Sequence, residues 1–144
     1  MKIFFIDTNI LLDIFLKRTK LYEASAQLFR YKDDEKCILH TSSSCILTAL
    51  YFLQKEKLTS LEVKKHLRAM LHYCVIDDAD ENVFYAAASN DDFKDVEDAV
   101  LHYIAVKIKG IDGIVTRNTK DFKHSLIKVY TPEESLKFIE NKSN

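Results

Sequence analysis

Three carboxylates stand at places in the sequence where an α/β fold would bring them together. Asp7 directly follows the apolar run 3–6, Asp98 lies in the acidic first turn of a periodic helix, and Asp121 follows another apolar segment. The run 3–6 is rich in β-branched and aromatic residues, which predicts a strand buried on both faces. Open parallel sheets place their ligand sites at the carboxyl ends of such strands, so the three acids are expected to converge there.

Carboxylates that share a site repel one another unless a cation neutralises them. A hard divalent ion such as Mg²⁺ or Mn²⁺ is the cation that carboxylate oxygens favour. Such an ion activates water and stabilises negative charge on a phosphoryl oxygen. The acids therefore predict a metal-dependent chemistry, with one or two ions.

Strand-like and helix-like segments alternate along the chain, which favours a parallel α/β sheet. The predicted strands cover residues 3–6, 37–41, 74–76, 111–116 and 127–130. Thr8 or Asn9 is expected to cap the helix after the first strand, and Gly110 to close the helix that begins near residue 95. Three aromatic residues at helical spacing are expected in the core: Tyr51, Phe52 and Phe84.

The composition is typical of a globular protein, and the net charge is close to zero. The 144 residues carry a formal net charge of -1, so any nucleic-acid binding must be local. The length favours one domain over residues 1–144. We expect neither a membrane segment nor a signal peptide, and the odd count of three cysteines suggests reduced thiols and a cytoplasmic location.

Three segments resemble the motifs of the PIN domain, a metal-dependent ribonuclease family that includes VapC-type toxins. They are Asp7-Thr8-Asn9, Asp98-Ala99 and the run 115–122, and their order and approximate spacing match as well. The resemblance spans about residues 2 to 131 and implies a three-layer α/β/α sandwich around a five-stranded parallel sheet. It also implies endonucleolytic hydrolysis of RNA with Mg²⁺ or Mn²⁺, a possible antitoxin partner and a homodimer.

The resemblance also implies roles for individual residues. Asp7, Asp98 and Asp121 would be metal ligands. Asn9, Thr116 and Asn118 would orient those carboxylates or the water that a metal binds. Ser42 or Ser43 matches a family serine or threonine after the second strand, although a serine here is first expected as a helix cap.

One departure from the family pattern concerns a glutamate that members usually carry in the helix after the second strand. Its position aligns with Ala49, or with Thr48 if the register slips, and neither is a carboxylate. Asp95, one helical turn before Asp98, is a candidate substitute ligand. The missing glutamate sustains a second hypothesis, a catalytically weak or inactive domain that binds RNA or protein.

Several basic residues flank the expected crevice and are candidate RNA contacts. The principal candidates are Arg18, Arg117 and Lys120. Asp13 and Arg18 are expected either to line the mouth of the crevice or to form a solvated pair on a helix.

Overall fold

The computed structural model describes residues 1–18 and 20–141, which form five strands, seven α-helices and one 3-10 helix. The strands are β1 (Lys2–Ile6), β2 (Cys37–Ser42), β3 (Cys74–Asp77), β4 (Gly113–Val115) and β5 (Val129–Tyr130). The first four helices are α1 (Thr8–Phe15), α2 (Tyr22–Asp33), α3 (Ser43–Lys55) and α4 (Ser60–Tyr73). The remaining helices are α5 (Glu81–Ser89), α6 (Val96–Val106), the 3-10 helix (Thr119–Phe122) and α7 (Pro132–Glu140).

The five strands form one parallel sheet in the order β3-β2-β1-β4-β5, which confirms the predicted α/β class. β1 lies at the centre, where Phe5 pairs with His40 of β2 and with Ile114 of β4. The strand order reverses at β1, because the chain moves outward through β2 and β3 and then returns to β4. Such a reversal opens a crevice at the carboxyl ends of the two neighbouring strands, here β1 and β4.

The connections place helices on both faces of the sheet and so give the expected three layers. Parallel crossovers are almost always right-handed, so connections that run in opposite directions along the sheet cover opposite faces. The β1–β2 and β2–β3 connections therefore put α1 to α4 on one face, and the β3–β4 connection puts α5 and α6 on the other. α7 packs beside α2.

The central strand is buried on both faces, as its sequence predicts. Phe4, Phe5 and Ile6 are each at most 1% exposed. The ring of Phe4 packs edge-on against Tyr130 and Phe138, so β1 contacts both β5 and α7. No helix among the described residues combines the length and the apolar character that crossing a membrane would need.

Two predictions about helix ends are wrong. Asp7, rather than Thr8 or Asn9, is the N-cap of α1, and its carboxylate accepts a hydrogen bond from the Thr8 backbone N–H at 2.7 Å. A carboxylate caps as well as a hydroxyl and adds a favourable charge at the positive end of the helix. α6 ends at Val106, and Gly110 lies in the following turn with φ of 78°.

The aromatic residues predicted for the core are instead exposed. Phe84 is 56% exposed, Tyr51 is 54% exposed and Phe52 is 39% exposed. Their helices bury other side chains, among them Ala49 and Leu53 of α3 and Val83 of α5. Periodicity identified the helices, but it did not identify which face contacts the sheet.

Gly113 is required where β4 passes close to β5. A Cβ atom at this position would lie 2.6 Å from the Lys128 carbonyl oxygen and 2.6 Å from the Tyr130 ring. The carbonyl accepts the ladder hydrogen bond of Ile114, so it cannot move without breaking β4 from β5. We predict that Gly113→Ala lowers the free energy of unfolding by about 1–3 kcal/mol, measured by urea denaturation.

Gly110→Asn is the matched control, because Asn tolerates the left-handed backbone of that turn. Its loss of stability should be smaller than that of Gly113→Ala. Equal losses for the two variants would contradict the steric explanation.

Candidate functional site

Asp7 is held at the carboxyl end of β1 by side-chain and backbone donors. The Thr116 hydroxyl donates to Asp7 Oδ2 at 2.8 Å, and the Asn9 amide donates to the same oxygen at 3.3 Å. The Asp7 backbone N–H donates to the Val115 carbonyl, which extends the β1–β4 ladder to this residue. The position and the orientation of the carboxylate are therefore both fixed.

The Asp7 carboxylate is 7% exposed, and its pKa is raised chiefly by burial. The negative charge of Asp121 raises this pKa further, whereas the hydrogen bonds from Thr116, Thr8 and Asn9 lower it. Each of these donors favours the ionised form, and the neighbouring acid opposes it.

Asp98 lies in the first turn of α6, and its half-buried carboxyl has a pKa raised to about 7. Burial is the largest cause, and the charges of Asp95, Asp7 and Asp121 follow in that order. Asp95 is the N-cap of α6 and accepts the Asp98 backbone N–H at 3.1 Å. One of its oxygens is thus committed to the helix.

Asp121 lies in the 3-10 helix after β4 and is exposed. Its backbone N–H donates to the Asn118 carbonyl at 3.0 Å, and the Asn118 N–H donates to the Thr116 hydroxyl at 3.1 Å. The Asn118 side chain is also exposed. Because Asp121 acts electrostatically on both Asp7 and Asp98, the structure brings together the three acids that the sequence singled out.

The donor set suits a hard divalent cation in type and charge. The charge of Asp121 raises the pKa of Asp7, and the charges of Asp7 and Asp121 raise the pKa of Asp98, so a bound cation would offset this repulsion. As placed, however, no three Asp, Glu, His or Cys side chains within residues 1–18 and 20–141 form a group that could hold a metal ion. The acids are neighbours that would have to draw closer around an ion.

The serine predicted for the site is a helix cap. Ser42 is fully buried, and its hydroxyl accepts the Cys45 backbone N–H at 3.0 Å and pairs with the Ser44 hydroxyl at 2.7 Å. Ser43, the alternative candidate, lines a cavity of about 600 Å³ between α3, α5 and α6, together with Ser44 and Thr48. Thr8 and Glu97 line the same cavity, which therefore opens beside the acids.

Ala49 is fully buried in α3, one helical turn after Cys45. The charge of Asp7 acts on the Cys45 thiol, whose pKa is raised mainly by burial. The face of α3 nearest the acids thus carries a thiol and a methyl group.

The structure gives the predicted RNA contacts different surroundings. Arg18 and Lys120 are exposed. Arg117 is instead folded against the protein, and its Nε donates to Asp13 Oδ2 at 2.6 Å. The expectations for Asp13 are wrong, because its side chain is fully buried and pairs with Arg117.

The sequence carried a signal for this ion pair. Asp13 interrupts an otherwise apolar run over residues 10–16. A lone acid on an apolar helix face is rarely buried unless it is paired, so a basic partner was to be expected. The sequence could not show that this partner stands 104 residues away.

The raised pKa of Asp98 predicts how stability depends on pH. Between pH 4 and pH 7 the folded, cation-free protein retains a proton that the unfolded chain releases, so this group's contribution to stability falls as pH rises. Asp98→Asn removes the effect. In EDTA, the variant should be more stable than the wild type at pH 7, and its advantage should shrink toward pH 5 in urea denaturation.

Asp91→Asn removes an exposed negative charge from the loop before α6 and serves as the control. Its difference from the wild type should stay constant over the same pH range. An Asp98→Asn variant that is less stable than the wild type at pH 7 would contradict the assigned pKa.

Comparison with known proteins identifies the family of this chain. The family model described as PIN domain matches residues 4–120. Ribonuclease VapC1 from Aquifex aeolicus (strain VF5) is 33% identical over 132 residues, which cover 90% of this chain and 90% of that protein.

Solved structures share the fold at lower sequence identity. VapBC2 from Rickettsia felis, bound to a DNA fragment from its promoter, matches with a TM-score of 0.63 and 17% identity, covering 90% of this chain and 98% of that one. A toxin-antitoxin complex from Klebsiella pneumoniae matches with a TM-score of 0.64 and 22% identity, covering 92% of this chain and 98% of that one. The family model spans most of the chain, and the chain therefore belongs to the PIN domain family.

Proposed function

We propose that this protein is a divalent-cation-dependent endoribonuclease that hydrolyses RNA phosphodiester bonds. The observation that carries the proposal is the group of three mutually repelling carboxylates, Asp7, Asp98 and Asp121, at the β1–β4 crevice. The similarity to Ribonuclease VapC1 over 90% of both chains supports RNA as the substrate.

Asp7, Asp98 and Asp121 would hold Mg²⁺ or Mn²⁺, as one or two ions. The cation would supply an activated water and would offset the negative charge that builds on the phosphodiester oxygens. Asp98 holds a proton near neutral pH, so cation binding would compete with protonation of this carboxyl. Asp95 contributes negative charge nearby, although one of its oxygens caps α6.

Hydrogen bonds from Asn9, Thr116 and Asn118 would fix the orientation of Asp7 and of the segment that carries Asp121. The Thr116 hydroxyl can donate only one proton, and it donates to Asp7 while accepting from the Asn118 backbone N–H. Asn9 bridges Asp7 and Thr116 through one amide group. Asp7 thus presents a fixed oxygen to the crevice. Ser42 would support the site indirectly, because it caps the N-terminus of α3.

Exposed basic residues would bind the RNA backbone. Lys120 lies in the 3-10 helix beside Asp121, and Arg18 follows α1. Phosphate contacts of this kind position a strand without reading its sequence. They would also offset the repulsion between RNA and a chain of net charge -1.

Ala49 supports a second candidate, a weakly active or inactive domain that binds RNA or protein. The buried methyl group of Ala49 adds no carboxylate to the three acids. Fewer acidic ligands lower the affinity for a divalent ion. In this case RNA or protein binding should persist in EDTA, whereas the nuclease requires the ion.

We further propose that the protein is the toxin of a toxin–antitoxin pair and that its partner is an antitoxin protein. The proposal is supported by the toxin-antitoxin complex from Klebsiella pneumoniae among the solved structures with this fold. A cytoplasmic location fits the buried thiols of Cys37 and Cys74, because burial raises the pKa of each to about 12 and leaves them unreactive.

A homodimer would cover exposed apolar side chains of α3, α5 and α6. They are Leu47 and Tyr51 of α3, Phe84 of α5 and Val96 of α6, each more than half exposed. The 600 Å³ cavity lies between the same helices. Large exposed apolar patches mark interaction surfaces in soluble proteins.

The nuclease proposal predicts that Asp7→Asn abolishes RNA cleavage. The substitution keeps the shape of the side chain but removes the charge that would bind the cation, so the rate should fall at least ~100-fold. The measurement is Mn²⁺-dependent cleavage of a panel of structured and single-stranded RNAs by wild type and variant purified identically.

EDTA should abolish wild-type cleavage, and Asp91→Asn should cleave like the wild type. A folded wild type that neither cleaves the panel nor binds Mn²⁺ would reject the nuclease and favour the binding module. Cleavage that survives both EDTA and Asp7→Asn would indicate a contaminating enzyme.

The dimer proposal predicts that Tyr51→Glu combined with Phe84→Glu gives a monomer. Two buried carboxylates would oppose association across an apolar face. Sedimentation equilibrium should find a dimer for the wild type and a monomer for the variant. Leu61→Glu is the control, since Leu61 is 72% exposed on α4, and it should remain dimeric. A monomeric wild type would refute the dimer.

A further inference from the structure

We propose that Arg117 is a positioning residue of the acidic site, acting through its ion pair with the buried Asp13 rather than through contact with RNA. The pair would fix the segment 116–121 against α1 and so set the distance between Asp7 and Asp121. The expected effect on kcat rests on the proposed nuclease function. The expected effect on the backbone of segment 116–121 can be measured without RNA.

Asp13 is a buried charge whose compensation comes mainly from Arg117. The side chain is 0% exposed, and its Oδ2 accepts from Arg117 Nε at 2.6 Å and from the Ser25 hydroxyl at 3.0 Å. Its Oδ1 is buried and has no hydrogen-bond partner among the described residues. Because an unpaired buried carboxylate is strongly unfavourable, Asp13 holds the guanidinium in place.

Arg117 joins segments that are distant in the sequence. Its Nη2 donates to the Leu21 carbonyl at 2.6 Å, and its Nη1 donates to Glu133 at 3.4 Å. With Asp13, these contacts tie the end of β4 to α1, to the α1–α2 connection and to the start of α7. A planar guanidinium suits such a junction, since its donors point in fixed directions.

The backbone of Arg117 also sets the orientation of Asn9. The Arg117 N–H donates to Asn9 Oδ1 at 3.2 Å, so this end of the amide must be the oxygen. The amide nitrogen then faces Asp7 Oδ2 and the Thr116 hydroxyl, each at 3.3 Å. A displaced Arg117 would remove the constraint that makes Asn9 a donor to Asp7.

This geometry counts against a direct role in RNA binding. The Arg117 side chain is 16% exposed, and each of its three nitrogens donates to a protein oxygen. A phosphate would have to replace Asp13 and leave that carboxylate buried and unpaired. Lys120, three residues later in the same segment, is exposed and suits a phosphate contact.

The kinetic test compares Arg117→Met with Lys120→Met. Loss of a residue that orients an active-site ligand lowers turnover about 10- to 100-fold, so Arg117→Met should lower kcat by that factor and change KM less than about threefold. Lys120→Met should instead raise KM and largely retain kcat. The RNA affinity of the uncleaving Asp7→Asn protein should be unaffected by adding Arg117→Met.

Arg117→Met leaves the fully buried carboxylate of Asp13 unpaired and can fail to fold, so Asp13→Asn is measured in parallel. This variant keeps the side-chain shape and leaves Arg117, which is 16% exposed, with Glu133 as its acidic neighbour. Asp13→Asn should also lower kcat at unchanged RNA affinity, and Arg117→Lys should recover part of the loss. Weaker RNA binding with unchanged kcat in the Arg117 variants would overturn the proposal and assign Arg117 to the RNA interface.

Amide hydrogen exchange tests the structural consequence without RNA. In Asp13→Asn, the N–H groups of Arg117 and Asn118 should exchange at least about tenfold faster, while those of Phe4 and Phe5 in β1 keep their wild-type rates. Unchanged exchange at Arg117 and Asn118 would overturn the proposal. Because this readout needs no catalysis, a wild type without nuclease activity would reject the proposed function and still leave the positioning role measurable.

Discussion

The acidic site depends on the hydrogen bonding of β1 to strands on both sides. β1 pairs with β2 and with β4, and the ladder continues one residue further to the Asp7 N–H. A strand held on both edges cannot slide without breaking two ladders and exposing Phe4 and Phe5. The Asp7 carboxylate is therefore anchored by the sheet, and its neighbours are arranged around a fixed point.

The sequence predicted the features that depend on local pattern. The buried run 3–6 and the alternation of strands and helices gave the parallel sheet, and the acids after β1 and β4 and in the first turn of α6 led to the prediction of a shared site for Asp7, Asp98 and Asp121. Each of these inferences uses a regularity that operates over a few residues or over every parallel sheet. The resemblance to the PIN domain family is confirmed by the family match over residues 4–120.

The features that the sequence did not predict depend on tertiary contacts. Tyr51 and Phe84 have helical spacing typical of a core, yet the sheet covers the opposite faces of their helices. Arg117 is a residue type that commonly binds phosphate, but here it pairs with Asp13, on a helix that is distant in the sequence. Propensity and periodicity carry no information about which residues far apart in the chain will meet.

The long sequence separation between Asp7 and Thr116, 109 residues, has a consequence for the synthesis of the protein. β1 is synthesised more than 100 residues before β4, the strand that completes its pairing. Folds dominated by such distant contacts form slowly, because the loop must close before the contacts contribute stability. A nascent chain that lacks β4 and Thr116 has no donor to hold Asp7 Oδ2, so the acidic site can be assembled only after β4 has been synthesised.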